Sequence, residues 1–246
     1  MKTKRIIPVL LLNERKLVKT TKFKSPRYVG DPINTVKILN EKKADEIFLV
    51  DINTKKWKTK ITELKEIASE MFTPAGYAGG INYCEQATEI LSIGFEKVII
   101  PYHKIFNDNL LSKIASQTGS QSVIVSLDLK KIVGSYYNLH RTGIAIHKTK
   151  IKNILLKIGD AGAGEIIIHS VDRDGTFAGF DRPLFDEIPA DFSIPIIALG
   201  GAGKREDLWE ILDHPSVDAA AAGSIFCFYG KHRAVLVNYP DHREKI

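Results

Sequence analysis

Residues 46–52, EIFLVDI, and residues 165–172, EIIIHSVD, read as one strand written twice. Each is a short, mainly apolar run that opens on a glutamate and carries an aspartate at its C-terminal end, and these aspartates, Asp51 and Asp172, lie 121 positions apart. The same spacing relates Gly79-Gly80 to Gly200-Gly201, and Leu11 matches Asp128 at a spacing of 117. A repeat of about half the 246-residue chain points to two fused (β/α)4 units, each too open to bury its own sheet. Further runs of the same kind surround the pair: IIPVLLL (6–12), PAGYAGG (74–80), KVIIP (97–101), SVIVSLD (122–128), IPIIALGG (194–201) and DAAAAGS (218–224). Segments with helical periodicity, such as 34–44 and 84–95, lie between them. Unbroken apolar strands alternating with helices imply a parallel sheet covered by helices. Eight such units predict an α/β protein, a (β/α)8 TIM barrel built from two (β/α)4 half-barrels, as a single domain over residues 1–246. A doubly wound open sheet is the alternative.

Composition narrows the function classes. With 44% hydrophobic and 26% charged residues the chain can bury one sizeable core. No run approaches the roughly 20 apolar residues that span a bilayer. The start, MKTKRIIPVLLLNERK, resembles a signal peptide only briefly: charge returns at Glu14 and no small-residue cleavage site follows. It reads as a first strand, and the expected location is cytoplasmic. Cys84 and Cys227 are far apart, so neither a disulfide framework nor a metal-ligand spacing is present; no metal and no cofactor are expected. The net charge of +6 is concentrated in Lys16, Lys19, Lys22, Lys24 and Arg27, read as one basic loop. That loop is either a solvated surface or a mobile segment that neutralises an anionic ligand or partner. No aromatic-interleaved basic stripe marks nucleic acid.

In an α/β barrel, function lies at the C-terminal strand ends. AGGIN (78–82) and LGGAGK (199–204) end candidate strands 3 and 7, and AAGSIF (221–226) follows strand 8. Gly79, Gly80, Gly200, Gly201, Gly223 and Ser224 therefore read as phosphate-binding turns, because a missing Cβ lets backbone N–H groups approach an anion. A helix starting near Lys204 adds a favourable dipole. In VDRDGT (171–176), Asp-Gly is either an ordinary turn or places Asp174 and the Gly175 amide at the cavity mouth. The first half looks impaired, because Pro101-Tyr102 stands opposite Gly223-Ser224: Pro101 offers no N–H, and Tyr102 fills space. Asp51 and Asp128 end apolar strands with no evident polar partner, and Asp128 is the candidate general acid/base. His169 points to the same region, with a structural role equally open. On the opposite rim Arg5, Glu46, Lys97 and Glu165 each precede an apolar strand, with alternating sign. They are either scattered bottom-face charges or a closed ring of salt bridges.

These motifs resemble the HisF family, the cyclase subunit of imidazole glycerol phosphate synthase in histidine biosynthesis. The resemblance runs over about residues 1–228 and rests on KRIIP (4–8), GDP (30–32), ADEIFLVDI (44–52), GGI (79–81), EKV (96–98), GSQSVIVSLD (119–128), GAGEIII (162–168), VDRDGT (171–176), GGAGK (200–204) and DAAAAGSIF (218–226). It implies a glutaminase (HisH-like) partner on the N-terminal face and ammonia passing a charged gate on Arg5, Glu46, Lys97 and Glu165. It further implies a phosphate site on Asp174, Gly175, Gly201, Gly223 and Ser224.

Departures from the family are as informative. The family's two catalytic aspartates fall on Asp128 and on Leu11, and a leucine cannot transfer a proton. The segment 130–147 reads as a short loop, and the end, FYGKHRAVLVNYP (228–240), as lacking a long final helix. In these respects, and in VLLL (9–12), LVKT (17–20), PRYVGDPINTVKI (26–38) and GKHRAVLVNYP (230–240), the chain resembles the HisF-like acetamidino modification branch. That resemblance implies work with an N-acetyl sugar amidotransferase that converts an N-acetyl group on a surface-polysaccharide sugar to an acetamidino group, with a phosphorylated or nucleotide-linked sugar as possible substrate. The rival expectations are a working cyclase (lyase) of histidine biosynthesis and a non-catalytic scaffold that activates the glutaminase.

Overall fold

The structure is a computed structural model that describes residues 4–52, 57–105, 109–139, 145–147, 150–189, 191–230 and 232–240. Eight strands form its centre: β1 (Arg5–Asn13), β2 (Ile47–Asp51), β3 (Ala75–Ala78), β4 (Lys97–Pro101), β5 (Val123–Ile132), β6 (Glu165–Ser170), β7 (Ile196–Leu199) and β8 (Ala219–Ala222). Each pairs in parallel with its sequence neighbour, and β1 pairs with both β2 and β8, so the sheet closes. Closure rules out the open doubly wound sheet. The helices are α1 (Pro32–Glu41), α2 (Trp57–Ala68), α3 (Cys84–Ser92), α4 (Leu110–Thr118), α5 (Ile151–Asp160), α6 (Arg182–Phe185) and α7 (Arg205–Leu212). The GDP motif is the start of α1: the Asp31 side chain accepts from the Asn34 amide at 2.9 Å, and Pro32 fills the first turn, where no amide is needed.

Side chains alternate across a strand, so every second residue faces the bore. Arg5, Ile7, Val9 and Leu11 form one inward column; Glu46, Phe48 and Val50 a second; Lys97, Ile99 and Pro101 a third; Glu165, Ile167 and His169 a fourth. Charges thus occupy the bottom layer. Ile7, Phe48, Ile99 and Ile167, with Ile124, Ile197, Ala219 and Ala221, form a buried cluster above it, distinct from the larger cluster beneath the helices. The barrel centre is a packed apolar core, as in other (β/α)8 barrels, rather than an open tube.

Two expectations need correction. Residues 16–27 are no loop: Lys16–Thr21 and Lys24–Gly30 are antiparallel strands that extend β1 as a meander. Residues 130–147 likewise hold a hairpin, because β5 runs on to Ile132 and pairs with Ser135–Leu139; residues 140–144 lie outside the described residues. The two hairpins share a design. Glu14-Arg15 turns the first and Val133-Gly134 the second, with positive φ at both residues of each pair, the geometry of a type I′ turn. Each half-barrel therefore opens with the same strand–turn–strand unit, which strengthens the half-repeat. As expected, no long helix follows β8 among the described residues. Instead the tail returns beneath the barrel: buried Tyr239 stacks on Phe226, donates its hydroxyl to the Ile6 carbonyl at 3.0 Å and accepts from the Asp45 amide at 3.1 Å.

The bulk of Phe48 in the bore is matched by Gly76 on β3. A Cβ at Gly76 would lie 2.8 Å from the Phe48 ring and 3.5 Å from Ile99. Gly76→Ala should therefore destabilise the fold by about 1–3 kcal/mol through overpacking, read as a lowered denaturant midpoint at unchanged slope. A second change, Phe48→Val, should recover most of the loss.

Candidate functional site

At the C-terminal strand ends the barrel opens into a cavity of about 810 Å³, walled by residues from all eight strands and capped on one side by the β1 hairpin. Asp128, Asp174, Gly175, Gly79, Gly80, Gly200, Gly201, Gly223 and Ser224 all line it, as does Leu11. Leu11 sits in register with Val18 and Val50, an apolar wall where a carboxylate is lacking. The sequence thus brings these residues to one place.

The partners around them were less legible. His169 and Asp128 are register neighbours on β6 and β5. The His169 Nδ1 lies 3.1 Å from Asp128 Oδ1, and its Nε2 lies 3.6 Å from Asp174 Oδ1. Burial pushes the imidazole down, but the two carboxylates outweigh it and raise its pKa to about 9. Phe23, in the Lys22-Phe23 turn that joins the two strands of the meander, stands edge-on to the imidazole at 5.3 Å between ring centroids. The Lys22 amide donates to the Asp174 carbonyl at 3.1 Å and holds that turn down. Gly175 serves this packing, because a Cβ there would lie 2.5 Å from the Thr20 carbonyl.

The basic segment is only partly a solvated face. Lys19 is buried, donates to the Val9 carbonyl and abuts Gly223 at the cavity wall; burial lowers its pKa. The helix-dipole expectation at α7 needs qualification: Asp207 already accepts from the Gly203 and Lys204 amides at 2.7 and 3.1 Å.

In the first half, the expectation that Asp51 has no polar partner is corrected. Buried Lys60 on α2 pairs with Asp51 at 3.0 Å, and the Tyr77 hydroxyl donates to Asp51 at 3.4 Å. Tyr102 does not fill the anion site; it packs against the helix-side core, while Pro101 faces the cavity. Lys104 closes the Gly79–Asn82 turn by donating to the Ile81 carbonyl at 2.7 Å and to Asn82 Oδ1 at 2.6 Å. Two ammonium groups therefore flank the first glycine turn. Nothing in the lysine-rich stretch around Trp57 singles out Lys60, so its role was invisible before folding.

At the opposite mouth the four rim charges form a closed ring. Arg5 meets Glu46 at 2.5 Å and Glu165 at 2.7 Å, and Lys97 meets Glu46 at 2.7 Å and Glu165 at 2.8 Å. The scattered-charge reading is thereby excluded. The two carboxylates differ: burial pushes Glu46 up, whereas on Glu165 hydrogen bonds and charge from Arg5 and Lys97 outweigh burial and pull it down.

A closed (β/α)8 barrel with glycine turns and titratable groups at its upper end and a charge-closed lower mouth defines the class. The sequence model of the histidine biosynthesis protein family matches residues 5–233. A provisionally named imidazole glycerol phosphate synthase subunit, hisF2, of Pseudomonas aeruginosa is 43% identical over 244 residues, 98% of this chain and 97% of its own. A provisionally named HisF subunit of Leptospira borgpetersenii is 42% identical over 245 residues, 98% and 96% of the two chains. Imidazole glycerol phosphate synthase subunit HisF of Chlorobium phaeobacteroides is 37% identical over 231 residues, 93% and 92%. The chain belongs to the histidine biosynthesis protein family and is HisF-like. No helix among the described residues is long and apolar enough to cross a membrane.

Because the folded pKa of His169 lies above its unfolded value of 6.5, the native state holds the extra proton between 6.5 and about 9. The stabilisation should be complete below pH 6.5 and lost as pH rises through 9, about 3 kcal/mol in all. Lys19, with its depressed pKa, acts in the opposite direction. The measurement is therefore the difference in unfolding free energy between wild type and His169→Asn, which should shrink from pH 6 to pH 10.

Proposed function

We propose that this HisF-like subunit accepts ammonia from a HisH-like glutaminase docked on the N-terminal face and supports amidination, N-acetyl to acetamidino, of a surface-polysaccharide sugar. One observation carries the reading: the four-charge ring at the lower mouth is complete, while Leu11 leaves the upper cavity without the carboxylate that would pair with Asp128. Entry features persist where cyclase chemistry has lost a proton-transfer group. In this reading Arg5, Glu46, Lys97 and Glu165 gate ammonia. The second-half turns, with Lys19 and Asp174, hold a phosphate or a similar anion, such as that of a phosphorylated or nucleotide-linked sugar. Phe72, 82% exposed in the loop that enters β3 from below, offers an apolar contact on the docking face. An N-acetyl sugar amidotransferase is the third component, and the complex works in the cytoplasm.

The packed bore favours a second reading, in which the barrel is a scaffold that activates the glutaminase. Ammonia crossing the barrel has to displace Phe48 and its neighbours in the apolar layer. A functional cyclase of histidine biosynthesis is the third; ordinary turnover of the family substrate with ammonium salts would support it against both others.

Lys97→Ala separates gate from scaffold. It leaves Glu46 and Glu165 short of one cation and should lower stability by about 3 kcal/mol. In the three-component mixture, below the melting temperature, glutamine hydrolysis should persist while product per glutamine falls by roughly tenfold or more. Stimulated hydrolysis with unchanged coupling would favour the scaffold.

A further inference from the structure

His169 has no part in the reading above, yet it is a buried titratable group of the cavity held between two carboxylates. Period-two alternation from Glu165 aims it inward, and the residue is buried. Asp128 is the register neighbour that holds Nδ1 at 3.1 Å, so Nδ1–H donates to the carboxylate and Nε2 is left as the working nitrogen. Nε2 is fully covered and has no hydrogen-bond partner among the described residues, since Asp174 stands off at 3.6 Å. A Cβ on Gly200 would lie 3.1 Å from His169 Cδ2, so the Gly200 turn runs directly beside this edge of the ring. A buried ring nitrogen at ion-pair distance from Asp174 but outside hydrogen-bond reach, beside a glycine turn and with a carboxylate orienting its far side, has the layout of a general acid/base.

We propose that His169 is the proton-transfer residue of the upper cavity and that Asp128 is its positioning residue. The ligand it serves is a small, phosphorylated or otherwise anionic molecule whose carbonyl or hydroxyl oxygen comes within reach of Nε2. In the step, the Nε2–H bond breaks, its electron pair stays on the imidazole, and the proton goes to the ligand oxygen. The neutral ring keeps Nδ1–H on Asp128 and regains its proton from solvent. Phe23, half exposed in the Lys22-Phe23 turn, stands edge-on to the ring at the cavity wall. The charged groups that face the imidazole are Asp128 on β5 and Asp174 after β6. Lys19 on the hairpin acts on Asp174 in turn, and β7 contributes only the Gly200 backbone. With Leu11 in place of a second carboxylate, the site exchanges a two-carboxylate arrangement for a carboxylate–imidazole dyad.

The proton-transfer claim rests on the proposed reading that a phosphorylated or nucleotide-linked sugar occupies this cavity during amidination; the dyad does not, and the two are tested separately. In the full chain carrying ¹⁵N-histidine, NMR should show His169 as an imidazolium at pH 8, Asp128→Asn should lower its pKa by one unit or more, and added inorganic phosphate should shift the Nε2 signal far more than Nδ1. In the three-component mixture, His169→Asn should cut product per glutamine about 100-fold with glutamine hydrolysis unchanged. Asp128→Asn should cost less and move the alkaline limb of the rate profile to lower pH. His169→Asn with the wild-type rate, or a phosphate-insensitive Nε2, overturns the proposal. If the wild type gives no product at all, the amidination reading fails, and the NMR arm still decides whether Nε2 faces a ligand.

Discussion

Everything functional in this barrel follows from the two-residue alternation of a closed parallel sheet. Once β1 pairs with both β2 and β8, the parity of each strand is fixed, and a one-residue slip would turn every inward side chain out. Arg5 at the bottom therefore dictates an inward Leu11 at the top, and Glu165 dictates an inward His169. Two oppositely signed pairs at matching depth then form a ring whose members neutralise each other in a partly buried layer. Removing any one of them leaves an uncompensated charge, which makes the ring cooperative rather than four separate contacts.

The two halves of the barrel share a skeleton and differ in electrostatics. Both begin with a hairpin closed by a two-residue turn, and both place a glycine pair at the end of their third strand. In the first half Asp51 is neutralised by Lys60, and Lys104 closes the turn. In the second half the corresponding region holds an imidazole flanked by two carboxylates, and its Gly223 turn is met by the buried Lys19, which reaches across from the meander of the first half. The duplicated fold thus supplies two similar cradles, and the side chains around them give each a different chemistry. Around the second pair of turns a cation from the first half stands beside Gly223, and an imidazole is held between two carboxylates.

Much of this was legible in the sequence, for identifiable reasons. The strands showed because a barrel strand is buried on both faces and reads as an unbroken apolar run. The ring showed because its members directly precede those runs with alternating sign. The hairpins did not show. Glu14-Arg15 and Lys22-Phe23 take positive φ without a glycine or asparagine, so the usual turn signals are missing, and a lysine-rich meander looks like a loop. Val133-Gly134 carried half of that signal. Lys60 was hidden because a helical lysine is ordinarily solvated, and the Asp51 pairing exists only after α2 docks. His169 could have been found: four residues after Glu165 on the same strand, it had to face the bore.

The central claim is that ammonia generated by a glutaminase on the lower face travels through this barrel instead of through solution. The most direct test supplies the complete system with glutamine labelled by ¹⁵N at the amide, in the presence of excess unlabelled ammonium. Passage through the bore predicts product enriched in ¹⁵N well above the bulk ammonium pool. Product with the isotope ratio of the bulk pool would contradict it.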